Sequence, residues 1–158
     1  MKRSRTSAGL LMFRRRGGRL EVLLAHPGGP YFQNKDDGIW TVPKGEVEEG
    51  EDLLARAKIE FQEELGVAPP RADLIELGRI KQKGGKIVHA WAFEADLKDD
   101  FKFVSNTFEM EWPPRSGKME AFPEVDRAAF FPVGTARIKI KAAQEPFLDR
   151  LINALNAR

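Results

Sequence analysis

Residues 52–65 constrain the fold most, because they predict a helix with one apolar face and one acidic face. Gly66 follows as a helix stop. A helix of this kind must lay its apolar face on a sheet or on another helix. The opposite face carries Glu60, Glu63 and Glu64, which fall within about 100° of one another on a helical wheel. The apolar face is formed by Leu53, Leu54, Ala57, Phe61 and Leu65.

Three carboxylates on one helix face repel one another, and this repulsion lowers the stability of the helix. A divalent cation between them would offset the repulsion, whereas a solvated helix face is the alternative interpretation. Oxygen ligands without cysteine or histidine favour Mg²⁺ or Mn²⁺. The chain contains no cysteine, which excludes disulfides, thiolate zinc sites and cysteine nucleophiles.

The remaining pattern alternates short strands with turns and predicts one more helix. This order predicts an α/β (or α+β) sandwich in which helices flank a mixed sheet. Residues 105–123 show no clear periodicity and contain Pro113-Pro114, so they are predicted to form a long loop. Strands are predicted over 7–13, 20–25, 39–42, 74–82, 86–97 and 128–133, and the second helix over 144–155.

Length and charge limit the classes of partner. The chain has 158 residues, 42% hydrophobic and 32% charged, which predicts a single domain over 1–158 with a flexible start over 1–6. No apolar run suits a signal peptide or a membrane span, so we expect a cytoplasmic protein. The net charge of +2 gives no overall field for a nucleic acid, and we expect no stable nucleic-acid partner. Nothing in the pattern indicates an oligomeric state.

Residues 45–67 read GEVEEGEDLLARAKIEFQEELGV, and this segment resembles the Nudix box. The resemblance implies a Nudix α/β/α sandwich over nearly the whole chain. It also implies a hydrolase that acts on a nucleoside diphosphate linked to another group. Later segments, including SNTFEMEWPP and FPEVDRAAFF, are similar to a bacterial group of predicted NTP pyrophosphohydrolases. The positions in register with the box are Gly45, Glu51, Glu60, Phe61, Glu63, Glu64, Gly66 and Val67.

The resemblance also implies roles for the acidic residues. Glu63 and Glu64 are expected to be the main ligands of Mg²⁺ or Mn²⁺, joined by Glu60 and by the backbone carbonyl of Gly45. Glu51 matches a position with a structural role. The attacking water needs a proton acceptor, for which Glu63 is the first candidate. The alternative acceptor is a loop carboxylate: Glu109, Glu111, Glu120 or Glu124.

One position departs from the box, because Ile59 stands where the family has an arginine. The helical wheel places Arg56 one turn before Glu60 and between Glu60 and Glu63 in angle. Our hypothesis is that Arg56 partly replaces the missing cation and belongs with the catalytic group. The alternative is an ordinary exposed ion pair with Glu60.

The residues leading into the box, WTVPKG, are similar to those of Nudix enzymes that cleave diadenosine tetraphosphate and diphosphoinositol polyphosphates. Lys44 is therefore a candidate contact to a polyphosphate chain, and Trp40 a candidate base-stacking residue or a core residue. Trp112 is aromatic and Arg115 is basic, a combination that a lid over a bound nucleotide would use. The alternative interpretation is a packed surface loop.

The best-supported substrate from the sequence is a dinucleoside polyphosphate such as diadenosine tetraphosphate. The alternatives are a nucleoside triphosphate or an RNA 5′ end, and, in a different class, a catalytically weak nucleotide-binding sensor.

Overall fold

The structure, a computed structural model, describes residues 5–158 and has three layers. A mixed sheet lies in the middle, with helix α1 on one face and helices α2 and α3 on the other. The predicted α/β/α sandwich is confirmed. The strands are β1 (Thr6–Arg16), β2 (Arg19–Pro27), β3 (Lys44–Glu46), β4 (Ile75–Lys81), β5 (Ile87–Glu94), β6 (Thr107–Glu111), β7 (Met119–Pro123) and β8 (Val125–Pro132). The helices are α1 (Leu53–Leu65), α2 (Val133–Lys139) and α3 (Pro146–Asn156).

Strand β1 is the centre of the sheet, whose order is β4-β5-β1-β2-β8. It pairs in parallel with β5 and antiparallel with β2. Short β3 pairs with the start of β1, in register with Ser7 to Gly9. Both faces of β1 are buried, and successive residues alternate between the two cores. Leu10 packs on the side of α1, and Leu11 packs on the side of α3.

Helix α1 begins and ends where the sequence predicts. The Asp52 side chain accepts a hydrogen bond from the Ala55 N–H at 2.9 Å and caps the first turn. Gly66 ends the helix in the left-handed conformation, with φ of 79°. Ala57, Phe61 and Leu65 are completely buried against the sheet, so the acidic face is held on a rigid support.

The predicted strand over 39–42 is wrong. Trp40 and Thr41 make only isolated bridges, to Ile140 and to Ala25. Pro43 follows at once and has no N–H to continue a ladder. The strand here is β3, which starts one residue after Pro43.

The predicted long loop over 105–123 is also wrong, because β6 and β7 pair there as a hairpin. Its strands alternate partly buried residues such as Phe108 and Met110 with exposed ones. Two glycines fix its position, since a Cβ at Gly28 would collide with the Pro123 carbonyl and one at Gly29 would lie 3.0 Å from Phe108. The hairpin therefore packs against the loop that follows β2.

Two further differences concern short segments. Helix α2 was not predicted, because Gly134 and the β-branched Thr135 and Ile138 are weak helix formers. Of the predicted flexible start, residues 1–4 lie outside the described residues, and Thr6 already belongs to β1. Within residues 5–158, no helix is long and apolar enough to cross a membrane.

Candidate active site

The carboxyl group of Glu60 lies directly over the backbone of Gly45. A Cβ at position 45 would collide with the Glu60 carboxyl group, so a side chain there would displace it. Gly45 is the middle residue of β3, and Glu60 projects from the facing side of α1. The fold therefore brings the first and the central residues of the 45–67 segment into contact.

Glu64 is the most buried member of the acidic face, with 9% of its surface exposed. Its carboxylate accepts a hydrogen bond from the Lys44 backbone N–H. Burial, together with the charge of Glu60, raises the pKa of Glu64 to about 8. The group is thus more stable protonated unless a positive charge joins it.

Glu124 completes the acidic cluster from a distant part of the chain. It lies between β7 and β8, and its charge adds to the raised pKa of both Glu60 and Glu64. Burial and the charge of Glu63 raise the pKa of Glu124 in turn. Asn106 holds this junction to α1, since its N–H donates to the Glu63 carbonyl at 2.8 Å and its carbonyl accepts from the Glu124 N–H at 2.8 Å.

The other loop carboxylates lie along the exposed hairpin. Glu109 and Glu120 are exposed on β6 and β7. Glu111 accepts hydrogen bonds from the backbone N–H groups of Arg115 and Gly117 at 2.9 and 3.2 Å, which closes the hairpin turn. Of the four candidates from sequence, Glu124 is the one whose charge acts on Glu60 and Glu64.

Arg56 lies between two carboxylates of the 45–67 segment. Its Nε and Nη2 donate to Glu51 Oε2 at 3.0 and 2.6 Å. Its Nη1 lies 3.5 Å from Glu60 Oε1. Glu51 also accepts a hydrogen bond from the Glu48 N–H at 2.8 Å. These two donors lower the pKa of Glu51, Arg56 being the larger cause.

The donor chemistry fits a hard divalent cation. Glu60, Glu63, Glu64 and Glu124 supply only carboxylate oxygens, and the burial of Glu64 without enough positive charge leaves its ionised form unsatisfied. Across residues 5–158, no three acidic or histidine side chains are close enough to enclose an ion by themselves. Mg²⁺ keeps several waters in proteins and takes further ligands from substrate phosphates.

A group of lysines lies around β3. We call Lys44, Lys86 and Lys141 the lysine cluster. Burial lowers the pKa of Lys44, and the charges of Lys86 and Lys141 lower it further. Lys86 pairs with Glu46 at 3.0 Å. Lys44 lies opposite Gly9 in the register, whose missing side chain makes room for it.

Ser7 lies beside the lysine cluster on the same strand face, opposite Glu46 in the register. Its hydroxyl is buried and has no hydrogen-bond partner among the residues that the structure describes. Ser7 has no exposed surface, so this unpaired hydroxyl costs free energy and is closed to a ligand.

Trp40, a candidate for base stacking, lies in the core instead. Only 4% of its surface is exposed. Its indole N–H donates to Asp36 at 2.8 Å, and its ring packs edge-on against His26 and Phe131. It belongs to the core on the α3 side, whereas α1 packs on the other face of the sheet, so its ring faces are closed to a ligand.

Trp112 and Arg115 lie at the turn of the hairpin. Trp112 packs edge-on against Tyr31, with ring centres 5.4 Å apart. Arg115 is exposed and adopts a positive φ of 62°. A contact of either residue with substrate stays a prediction.

Sequence reasoning missed the lysine cluster beyond Lys44 and could not single out Glu124. Lys86 and Lys141 belong to segments far apart in the chain, and no local pattern distinguishes them from solvated lysines. The pairing of β3 and β5 with β1 brings Lys86 to Lys44. Lys141 comes from the segment after α2, where its N–H donates to the Trp40 carbonyl at 2.9 Å.

Comparison with known proteins agrees with this arrangement. A family model described as NUDIX domain matches residues 3–151. The structure of an Ap4A hydrolase from C. elegans, in a binary complex, is similar with a TM-score of 0.69 and 22% identity, covering 96% of this chain and 99% of that chain. The NUDIX domain of Shewanella oneidensis NrtR, complexed with ADP ribose, is similar with a TM-score of 0.62 and 14% identity, covering 98% and 90%.

A mutT/nudix family protein from Listeria innocua has a TM-score of 0.58 and 20% identity, covering 96% of this chain and 94% of that chain. At such identities the solved structures show a shared fold. The family match extends from before β1 into α3 and includes the whole acidic segment. The chain therefore belongs to the NUDIX domain family.

Proposed function

We propose that this protein is a Mg²⁺- or Mn²⁺-dependent hydrolase of nucleotides that carry a polyphosphate chain, with a dinucleoside polyphosphate such as diadenosine tetraphosphate as the preferred substrate. The observation that carries the proposal is the placement of two opposite charges around β3. The Glu60 carboxyl group lies over Gly45, and Lys86 and Lys141 lie near enough to the adjacent Lys44 for their charges to act on it. The carboxylates and the lysines belong to the same domain.

The lysine cluster supports a highly charged substrate. The charges of Lys86 and Lys141 disfavour the charged form of Lys44, and Glu46 is an ion-pair partner of Lys86. The charges of Glu64 and Glu46 act on Lys44 in the opposite direction and offset part of this effect. A polyanion bound beside the lysines would add negative charge and favour their charged forms.

The acidic cluster supports phosphoanhydride hydrolysis. Glu60, Glu63 and Glu64 are the residues that would hold the cation, together with the Gly45 carbonyl. When bound, the cation would stabilise the charge that develops on the phosphate oxygens. Glu63 is the first candidate to accept the proton of the attacking water, and Glu124 is the second, because its charge acts on the same carboxylates.

The comparisons support a nucleotide as the substrate class. The NrtR domain was solved with ADP ribose, and the C. elegans protein is an Ap4A hydrolase. Hydrolysis of nucleoside triphosphates or RNA 5′ ends uses the same groups and is the alternative reaction. A sensor without turnover is the third possibility, and Ile59 is the feature that favours it.

A turnover screen tests the proposal. Purified protein with Mg²⁺ or Mn²⁺ is incubated with diadenosine polyphosphates of increasing phosphate number, nucleoside triphosphates, 5′-triphosphate RNA, nucleotide sugars and diphosphoinositol phosphates, and products are separated by chromatography. We expect metal-dependent cleavage, fastest for the longer dinucleoside polyphosphates. Glu63→Gln serves as the control and should abolish it.

The product pair identifies the bond that is cut. Faster cleavage of triphosphates or RNA ends would replace the dinucleoside assignment by the alternative reaction. Nucleotide binding without turnover on any substrate would contradict the enzyme and favour the sensor.

A further inference from the structure

Position 59, where the Nudix box has an arginine, holds an isoleucine whose side chain is 43% exposed. A guanidinium nevertheless reaches the acidic face from Arg56, one helical turn before Glu60. We infer that Arg56 is a positioning residue. Its guanidinium group supplies the positive charge that is missing at position 59, and it holds the Glu60 carboxyl group next to Gly45. This inference rests on the proposed function, in which Glu60 is one of the residues that hold the divalent cation.

Glu51 holds the Arg56 guanidinium group through the nitrogens that do not contact Glu60. Two of its nitrogens bond to one oxygen of Glu51, at 3.0 and 2.6 Å, and Glu51 is itself held by the Glu48 N–H. A guanidinium held in this way loses little further entropy when it contacts a second carboxylate. Its third nitrogen is left for Glu60, at 3.5 Å from Oε1.

Burial distinguishes this pair from an ordinary surface pair. The side chains of Arg56 and Glu60 are 23% and 13% exposed. Partial burial reduces the screening by water, so the attraction is stronger than for an exposed ion pair at the same spacing.

Glu60 needs such a partner because of its surroundings. Its carboxyl group is packed against Gly45 on one side and is repelled by Glu63 on the other. Without a cation on α1, that repulsion would favour rotation of Glu60 away from Gly45. Arg56 attracts Glu60 from the preceding turn and opposes this rotation.

The structure also shows where a restored arginine would lie. Ile59 lines a cleft of about 420 Å³ together with Glu63, Gly66, Val104 and Asn106. An arginine at position 59 therefore has room beside Glu63, and the double variant tests whether a guanidinium from there can act on the acidic face in place of Arg56.

The test compares wild type, Arg56→Ala, and the double variant Arg56→Ala with Ile59→Arg. Arg137→Ala is the matched control, because Arg137 also bridges two carboxylates, Glu145 at 3.4 Å and Asp149 at 2.7 Å, in the helices on the opposite face of the sheet. Two quantities are measured: kcat and KM on the best substrate of the screen, and the Kd for Mn²⁺ by electron paramagnetic resonance without substrate.

We expect Arg56→Ala to lower kcat by about tenfold or more, with little change in KM, because a misplaced group costs rate rather than binding. Its Mn²⁺ binding should become weaker, because Glu60, one of the proposed ligands, is no longer held beside Gly45. The double variant should regain most of the lost kcat and return the Mn²⁺ Kd toward wild type. Arg137→Ala should match wild type in both quantities.

A kcat of Arg56→Ala within about twofold of wild type would overturn the inference while the proposed function stands. Mn²⁺ binding that is unchanged or tighter in Arg56→Ala, or no recovery in the double variant, would also overturn it. If wild type turns over no substrate, the proposed function fails, and the Mn²⁺ series still decides on Arg56. Weaker binding that the double variant reverses supports the inference, and an unchanged or tighter Kd contradicts it.

Discussion

At position 45 the backbone of Gly45 and the carboxyl group of Glu60 are in direct contact. The Glu60 carboxyl group lies where a Cβ of Gly45 would be, so glycine is required there by close approach. Because Gly45 has no Cβ, the Glu60 carboxyl group can lie directly against β3.

We predict that Gly45→Ala lowers kcat by about 10²-fold, because it displaces Glu60 from its position. The measurement is kcat together with the thermal midpoint of unfolding. Gly134→Ala is the control, since no atom lies within 4 Å of a Cβ built there, and it should leave kcat unchanged. Wild-type turnover in a folded Gly45→Ala protein would contradict this role of Gly45.

At the scale of elements, the hairpin of β6 and β7 carries Glu124 to the acidic face of α1. Asn106 hydrogen-bonds to both sides of this junction, and the Gly28 N–H donates to the Glu124 carbonyl at 2.9 Å. Hydrogen bonds to two separate segments, at Asn106 and at Gly28, therefore fix the backbone of Glu124. Its charge acts on Glu60 and Glu64 because the hairpin is docked and not free in solution.

Glu124→Gln tests the contribution of this element. If Glu124 accepts the proton of the attacking water, kcat should fall by about 10²-fold or more with little loss of stability. The matched variant is Glu109→Gln, an exposed residue of the same hairpin, which should retain wild-type kcat. Equal rates for both variants would assign the proton acceptor to Glu63.

At the scale of the whole molecule, the acidic cluster makes stability depend on pH. Burial, with the charge of Glu60, raises the pKa of Glu64 to about 8, whereas an unfolded glutamate titrates near its ordinary value of about 4.3. Between these two values the folded protein binds the extra proton. The free energy of unfolding must therefore decrease as the pH rises through this window.

We predict that, without divalent cations, the free energy of unfolding falls from about pH 5 to about pH 8, with a slope from Glu64 of at most about 1.4 kcal/mol per pH unit. Urea unfolding at a series of pH values measures this. Glu64→Gln should flatten the dependence, and Mg²⁺ should weaken it, since a cation favours the ionised carboxylate. A stability that rises with pH across this range would contradict the burial of Glu64.

The sequence by itself determined helix α1, its stop at Gly66 and the common face of its carboxylates. These features are local, because residues three or four apart in a helix are neighbours whatever the rest of the chain does. The box positions determined the family for the same reason, since they lie within one continuous segment.

Only the tertiary structure decided which distant groups join that face. Glu124 reaches it through a hairpin whose sequence predicts a loop. Lys86 reaches Lys44 through the pairing of β3 and β5 with β1, and Lys141 reaches it from the segment after α2. The burial of Trp40 was decided in the same way. Contacts between segments depend on sheet register and on layer packing, and no local pattern of residues encodes either one.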